Sequence, residues 1–444
     1  MRLPVRPVAP FVATVCAGLI AASLIAACGG SSHHRTHSRH KVRARAQTVE
    51  VYSSLPLVGP SGAAGRAVQR GIRLAWIQAN RRAGDFLVRY TSLNDARVGH
   101  GSWAAALTAA NAREAAVDPA ATVYIGDFDS SATRVSLPIL NQAGIPQISP
   151  WSPYVGLTRA VGDNVTSPGD PGRYYSSTSM RTFLRLAPDD AVQAAALLQA
   201  AHDVGCTRMA VLRSAGTQDY SSELSGLLAL EHVRFDVRIV SPAAVQGSAA
   251  SVLAVSPAPA LRRYVDSLRN LLTGCVAYVG APSAAAVSAI AAIHAALPRA
   301  ALFGSDRVCQ AAFGGGPLRP ELVAASGGLL ECTYPALPSG GAASARFQAL
   351  WQSQYADRPP AGPWAAYGYE AMRLTLQAIA RLGSRGDQRG QLLHALFGET
   401  PRGTLLGSYG FRSDGDSTLR AYGLWQVRAT GPPRLERVME PSAS

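Results

Sequence analysis

Lysine is all but missing from this 444-residue chain: Lys41 is the only one, and arginine carries the rest of the positive charge. A formal net charge of +14 points first to nucleic acid or anionic lipid. Yet no basic stripe is interleaved with aromatics in the way that tracks a phosphate backbone, so nucleic acid is not an expected partner. Catalytic signatures are missing as well. There is no GxSxG, no HExxH and no Walker A loop, and Gly314-Gly315-Gly316-Pro317 lacks the lysine of a phosphate loop. Beyond residue 47 the histidines are His100, His202, His232, His294 and His394, in no recognisable constellation. No CxxC spacing is present, which argues against a zinc site. An enzyme, a metal site and a cofactor are therefore not expected. Charged residues are scarce at 16% and hydrophobic ones make up 48%, which excludes a disordered chain.

What is present begins with the placement of charge. Arg2, Arg6, Arg35, Arg39, Lys41, Arg43 and Arg45 precede residue 48 with no acid among them. Arg2 and Arg6 lead into an uncharged apolar run, Phe11 to Ala27, which ends in Leu24-Ile25-Ala26-Ala27-Cys28-Gly29-Gly30. Charged start, apolar middle and small-residue end is the order of an export signal. The segment resembles a bacterial lipoprotein signal, with Ile25-Ala26-Ala27-Cys28 as its lipobox. That resemblance implies cleavage before Cys28 and a diacylglycerol on its thiol. The same run sits at the lower limit for an uncleaved membrane span. Both alternatives place the rest of the chain outside the cytoplasm, held to the membrane. Residues 29–47 are rich in Gly, Ser, His and Arg and read as a flexible tether. His33, His34, His37 and His40 lie there without the supporting shell of a metal site.

Cys16 falls within the signal and Cys28 is the lipid site, which leaves Cys206, Cys275, Cys309 and Cys332. Four cysteines allow three pairings. Cys206 and Cys275 each stand at the start of an expected strand after a helix, and neighbouring parallel strands would set them side by side. Cys309 and Cys332 flank a Gly-rich excursion. The expected disulfides are Cys206–Cys275 and Cys309–Cys332.

From residue 48 onward, short apolar runs alternate with helical periodicity. Val49–Tyr52, Phe86–Tyr90, Thr122–Gly126 and Ile145–Ile148 read as strands, with helices between them. After an irregular stretch from Pro150 to Met180, the alternation restarts with strands at Met209–Leu212, Val233–Val240 and Val276–Val279. Ala301–Phe303 and Gly328–Thr333 are short strands. Two α/β units in tandem follow, each with a parallel sheet wrapped by helices. The turn residues Ser413-Asp414-Gly415 predict a hairpin over Tyr409 to Val427.

Several segments, taken in order, resemble the leucine/isoleucine/valine-binding branch of type I periplasmic binding proteins, from about residue 48 to 428. They include Leu55-Pro56-Leu57-Val58-Gly59-Pro60 with Gly71-Ile72-Arg73-Leu74-Ala75, then Tyr124-Ile125-Gly126-Asp127-Phe128-Asp129-Ser130-Ser131-Ala132-Thr133. Ile148-Ser149-Pro150, Phe303-Gly304-Ser305-Asp306 and Ala366-Tyr367-Gly368-Tyr369-Glu370-Ala371 continue the order. The resemblance implies two Rossmann-like lobes, parallel sheets flanked by helices and joined by a three-strand hinge, with a small molecule in the cleft. Lobe 1 would take residues 48–184 and 334–405, and lobe 2 residues 185–333 and 406–437. The implied partners are an ABC permease and its ATPase, served by a monomer. The same clamp reporting to a signalling partner is the alternative.

An amino acid presents a carboxylate, which suits hydroxyls and free N–H groups at a helix N-terminus, and an ammonium, which needs an acid in a dry cleft. Ser130 and Ser131 stand where a strand passes into a helix, so either ligand binding or helix capping suits them. By the resemblance, Ser130 binds the ligand carboxylate and Ser152 falls in the second carboxylate-binding loop. Asp306 matches the acid that pairs with the ammonium, and Tyr220 lines the cleft from lobe 2. Departures are Pro153 where the family has a hydroxyl, and Ala64 and Ala281 where it has cleft tyrosines. Asp129 and Asp127 stand just before Ser130. A wider pocket and a larger or cationic ligand are consistent with these changes.

Overall fold

Residues 121–125, Ala-Thr-Val-Tyr-Ile, are buried at every position. A strand apolar on both faces needs cover on both faces, and helices flanking a parallel sheet supply it. The computed structural model, which describes residues 47–99, 101–162, 165–176, 178–214, 218–240, 258–338, 340–356 and 362–441, builds two such sheets. The expected signal, the tether and Cys28 lie outside the described residues.

The first sheet comprises β1 (Thr48–Leu55), β2 (Arg82–Ala83), β3 (Phe86–Asn94), β4 (Ala121–Ile125), β5 (Gln147–Ser149) and β6 (Phe183–Arg185), in the order β2-β3-β1-β4-β5-β6. All of its pairings are parallel except the short β2–β3 edge. The second sheet comprises β7 (Arg208–Arg213), β8 (Arg238–Val240), β9 (Cys275–Val279), β10 (Ala301–Gly304), β11 (Leu330–Pro335), β12 (Tyr422–Gln426) and β13 (Arg434–Met439). Its order is β13-β12-β11-β10-β9-β7-β8, parallel from β11 to β8, with β12 antiparallel to both β11 and β13 on one edge.

Helices α1 (Gly62–Gln78), α2 (Ala105–Val117) and α3 (Ser130–Gln142) connect strands of the first sheet. Helices α4 (Asp190–Asp203), α5 (Gln218–Glu231), α6 (Ala258–Asn270), α7 (Ala284–Ala296), α8 (Asp306–Phe313) and α9 (Arg319–Ala325) belong to the second unit. The chain then returns through α10 (Gly341–Gln354), which packs on α1, and through α11 (Trp364–Leu382) and α12 (Arg389–Phe397), which pack on the first sheet. It therefore crosses between lobes after β6, after β11 and before β12. Helix α11 buries Trp364, Tyr367, Met372, Leu374, Leu376 and Ile379, each worth about 1.5–3 kcal/mol relative to exposure. Its close approach to α1 depends on two glycines. A Cβ on Gly71 would lie 1.9 Å from the Ala365 oxygen, and one on Gly368 would lie 2.1 Å from the Val68 oxygen.

Both expected cysteine pairs are joined. Cys206–Cys275 links neighbouring strand starts with Cα atoms 6.0 Å apart, and Cys309–Cys332 ties α8 to β11 with Cα atoms 5.5 Å apart. Two strand expectations need correction. The run Val233–Val240 opens as a 3-10 turn over His232–Phe235, and Asp236 at φ +55° delays the strand to Arg238–Val240. Within Tyr409 to Val427, Ser413-Asp414-Gly415 does turn a hairpin, but a short one: Arg412 N donates to Asp416 O at 2.8 Å, Thr418 N to Gly410 O at 2.9 Å, and Phe411 bridges Ser417 in antiparallel fashion. Its turn docks on β6, where Arg185 N donates to Gly415 O at 3.0 Å. The hairpin of the sheet is β12–β13, further along.

Candidate functional site

The loop Gly126–Asp129 leads from the C-terminal end of β4 into α3, the place where open α/β sheets bind ligands. Capping of α3 falls to Asp129, whose carboxylate accepts from Ser131 N at 2.9 Å. Ser130 Oγ accepts from Tyr154 N at 3.2 Å. Both serines line a cavity of about 260 Å³ between the lobes, with Pro153 nearby on its wall. Ser152 is not on that wall. It is fully buried, and its hydroxyl donates to Asp127 O at 2.9 Å and bonds Thr133 Oγ1 at 2.7 Å, bracing the loop.

The second lobe contributes mostly acids. Tyr220 lines the cavity and donates through its hydroxyl to Asp306 Oδ1 at 2.5 Å. Asp306, buried at the start of α8, thus stands one hydrogen bond back from the wall. Asp190 at the start of α4 and Glu223 on α5 are on the wall, and both are buried. Burial raises the Asp190 carboxyl well above the ordinary range, and the Asp306 and Asp189 carboxylates add to the effect. Burial likewise raises Glu223, reinforced by Asp190. Among the described residues, no arginine forms a salt bridge with Asp190, Glu223 or Asp306. Glu223 Oε1 instead accepts from Val155 N at 3.0 Å. With the Gln193 amide oxygen turned to Asp306 N (2.6 Å), its NH2 faces Asp190 Oδ1 (3.1 Å) and Tyr220 Oη (3.2 Å).

One cation enters from the same lobe. Arg307 lies over the Tyr220 ring, 5.0 Å from its centroid, and reaches across to Asp129 with Nη1–Oδ2 at 3.4 Å. Burial opposes the charge of Arg307, but Asp129 and Asp306 outweigh it and hold its pKa above the ordinary value. Arg134 borders the cavity from α3, donating to Tyr174 Oη at 3.0 Å and Ser167 Oγ at 3.2 Å. Below the site an aromatic stack ties the lobes. Trp151 lies 4.8 Å from Tyr334 and 6.1 Å from Phe128, and is core here.

The structure thus brings Ser130, Ser131 and Tyr220 to one cavity, with Asp306 behind, and sets Ser152 aside. Asp190, Glu223, Gln193 and Arg307 were not expected. Asp190 follows Asp189, and the pair reads as a helix cap. Asp189 does cap α4, accepting from Ala191 N and Val192 N at 3.1 Å, which leaves Asp190 free for the cleft. The arginine beside Asp306 was the one local signal.

No family model matches the chain, and no curated protein matches it. Solved structures do match along nearly their whole length. The leucine-binding protein LivK of Thermotoga maritima is 20% identical, with 88% of this chain and 99% of that one covered and a TM-score of 0.62. LivJ of Streptococcus pneumoniae, a branched-chain amino acid transporter substrate-binding protein solved with isoleucine, is 14% identical, with 88% and 99% covered and a TM-score of 0.61. An ABC-transporter solute-binding protein of R. palustris, solved with benzoate, is 15% identical, with 89% and 98% covered and a TM-score of 0.64. The fold is the two-lobed one of these substrate-binding proteins, the type I periplasmic binding protein fold.

Proposed function

We propose that the chain is an extracytoplasmic solute-binding lipoprotein, not an enzyme, which captures an amino acid or similar small polar molecule and delivers it to an ABC importer. The observation that carries the ligand assignment is the cavity itself. Asp190 and Glu223, two buried carboxylates without a salt-bridge partner among the described residues, face Ser130 and Ser131 at the N-terminus of α3 across the cleft. An ammonium entering between the acids supplies the positive partner that burial makes favourable for them. The hydroxyls and N–H groups at the helix start suit a carboxylate. Of the neighbours named above, LivJ is a transporter substrate-binding protein and the R. palustris protein a solute-binding protein of an ABC transporter, which supports the importer partner. Anchoring through Cys28 rests on the lipobox, and the chain acts as a monomer in this reading.

Thermal-shift and calorimetric titration of the full chain with amino acids, amines and small acids tests the ligand class, since a bound ligand raises the melting temperature by mass action. Loss of the charge in Glu223→Gln or Asp306→Asn weakens an amino-acid hit about ten- to a hundredfold. Unchanged affinity in both variants removes the ammonium assignment. Mass spectrometry of the membrane-extracted chain is expected to find a new N-terminus at Cys28 bearing a diacylglycerol, and an unmodified Cys28 would rule out the lipid anchor.

A further inference from the structure

Arg307 is shared by two cavities. On one side lies the acid-lined chamber of about 260 Å³. On the other lies a second space of about 290 Å³, also walled by both lobes: Pro60, Ser61 and Ser102 on one side, α8, α9 and their linker on the other. The character of the second wall is different. Ala281, Val308, Ala311, Leu318 and Leu322 dominate it, and Arg319 and Arg307 are its only charges among the described residues. Its width comes from small side chains, since Ala281, Ala311, Gly314 and Gly316 all border it.

Size bears on how these spaces are used. Ligand pockets that enclose a small molecule run from roughly 300 to 1,000 Å³. The two chambers, at about 260 and 290 Å³, stand near the lower edge of that range singly and well within it together. The divider is also movable by its chemistry. Arg307 is held toward Asp129 by a single contact of 3.4 Å, longer than a good charged hydrogen bond. A guanidinium at the junction of a cation-seeking chamber and an apolar one is placed to meet a carboxylate on the atom that joins a ligand's head to its tail.

We infer that the two cavities form one bipartite site, whose ligand is an α-amino acid with an apolar side chain of aromatic size. The ammonium lies by Asp190 and Glu223, the carboxylate meets Arg307 and the start of α3, and the side chain fills the space beside Ala281, Ala311 and Leu318. This rests on the amino-acid reading of the cleft and goes beyond it by fixing the ligand's shape. Arg307 becomes the residue that orients the ligand, and Ala281 the one that admits its tail.

The test is calorimetric titration of the full chain with L-phenylalanine, L-alanine and 3-phenylpropanoate. Burial of an aromatic side chain predicts L-phenylalanine binding at least about tenfold more tightly than L-alanine. Ala281→Trp and Ala311→Trp, both at half-buried positions, fill the second chamber. Each is expected to weaken L-phenylalanine enough to erase that tenfold preference and to keep the unliganded melting temperature unchanged. Equal binding of L-alanine and L-phenylalanine, or a preference untouched in both Trp variants, overturns the bipartite site while leaving the amino-acid reading intact. Binding of 3-phenylpropanoate as tightly as L-phenylalanine overturns the ammonium head instead, and with it the assignment of the acid chamber. If neither amino acid binds, both conclusions fall.

Discussion

Arg185 and Asp416, 231 residues apart in sequence, form one buried ion pair: Arg185 Nε donates to Asp416 Oδ1 at 2.6 Å. Arg185 also donates through Nη1 to the backbone oxygens of Ser152 (2.9 Å) and Tyr154 (2.7 Å). It stands at the end of β6, where the chain first leaves lobe 1, and Asp416 lies on the last crossing. The pair therefore fixes two of the three connections to each other. Asp416→Asn leaves the Arg185 charge buried without its partner. Loss of one member of a buried pair costs about 3–5 kcal/mol. Urea denaturation of the full chain is expected to show that loss, and a change under about 1 kcal/mol would mean that the pair does not hold the hinge. Gly415 beside it is equally constrained: φ is +97° and a Cβ would lie 2.0 Å from Phe183 O.

The two disulfides close loops with sequence separations of 69 and 23 residues, both within lobe 2. Chain-entropy arguments assign about 3–4 kcal/mol to loops of such lengths. Reduction with dithiothreitol is expected to lower the melting temperature, and Cys206→Ser with Cys275→Ser to lower it in the absence of reductant. A melting curve indifferent to reductant would show that the bonds do not form in the folded protein.

Asp95 and Asp127 set a pH dependence. Both are buried behind the strand ends of lobe 1. Burial, with Asp127 and Asp129 nearby, raises Asp95 to about 8. Burial raises Asp127 to about 7 against the hydrogen bonds of Ser136, Ser54 and Tyr124. Both groups are thus protonated in the fold at a pH where the unfolded chain has lost its protons. Their stabilisation is present in full below the unfolded pKa near 4 and is lost as pH rises through about 7 to 8. Asp416, whose pKa is lowered, acts only at more acid pH. The melting temperature is expected to fall between about pH 5 and about pH 8.5, and Asp95→Asn to flatten that slope. A melting temperature that climbs over this interval contradicts the assignment.

The alternation of buried strands and helices was legible because both faces of a parallel strand are apolar, as in Thr122-Val123-Tyr124-Ile125. The cysteine pairing was legible because strand starts in a parallel sheet line up. In the tail the hairpin is present only around its turn, Gly410 to Thr418, because a turn motif reports local geometry but not its docking partner, and Gly415 docks on β6. The site was only half legible. Ser130 and Tyr220 sit at strand ends and helix starts, where position alone suggests a role. Glu223 and Arg307 lie within α5 and in the first turn of α8, and their meeting depends on how the two lobes sit together. No spacing within the sequence reports that.

The crossing of α1 and α11 over Gly71 and Gly368 has a consequence for how the protein comes into being. The parallel strands of the second sheet follow one another from β7 to β11 with nothing intervening from lobe 1. That sheet can close as soon as its residues are available, leaving only the β12–β13 edge to add. The first sheet must wait with the inner face of α1 uncovered until α11 arrives from the far side of the chain. A chain of this design can complete its middle before its beginning. For that interval, Val68, Ile72 and their neighbours are the surface that a folding helper would have to protect.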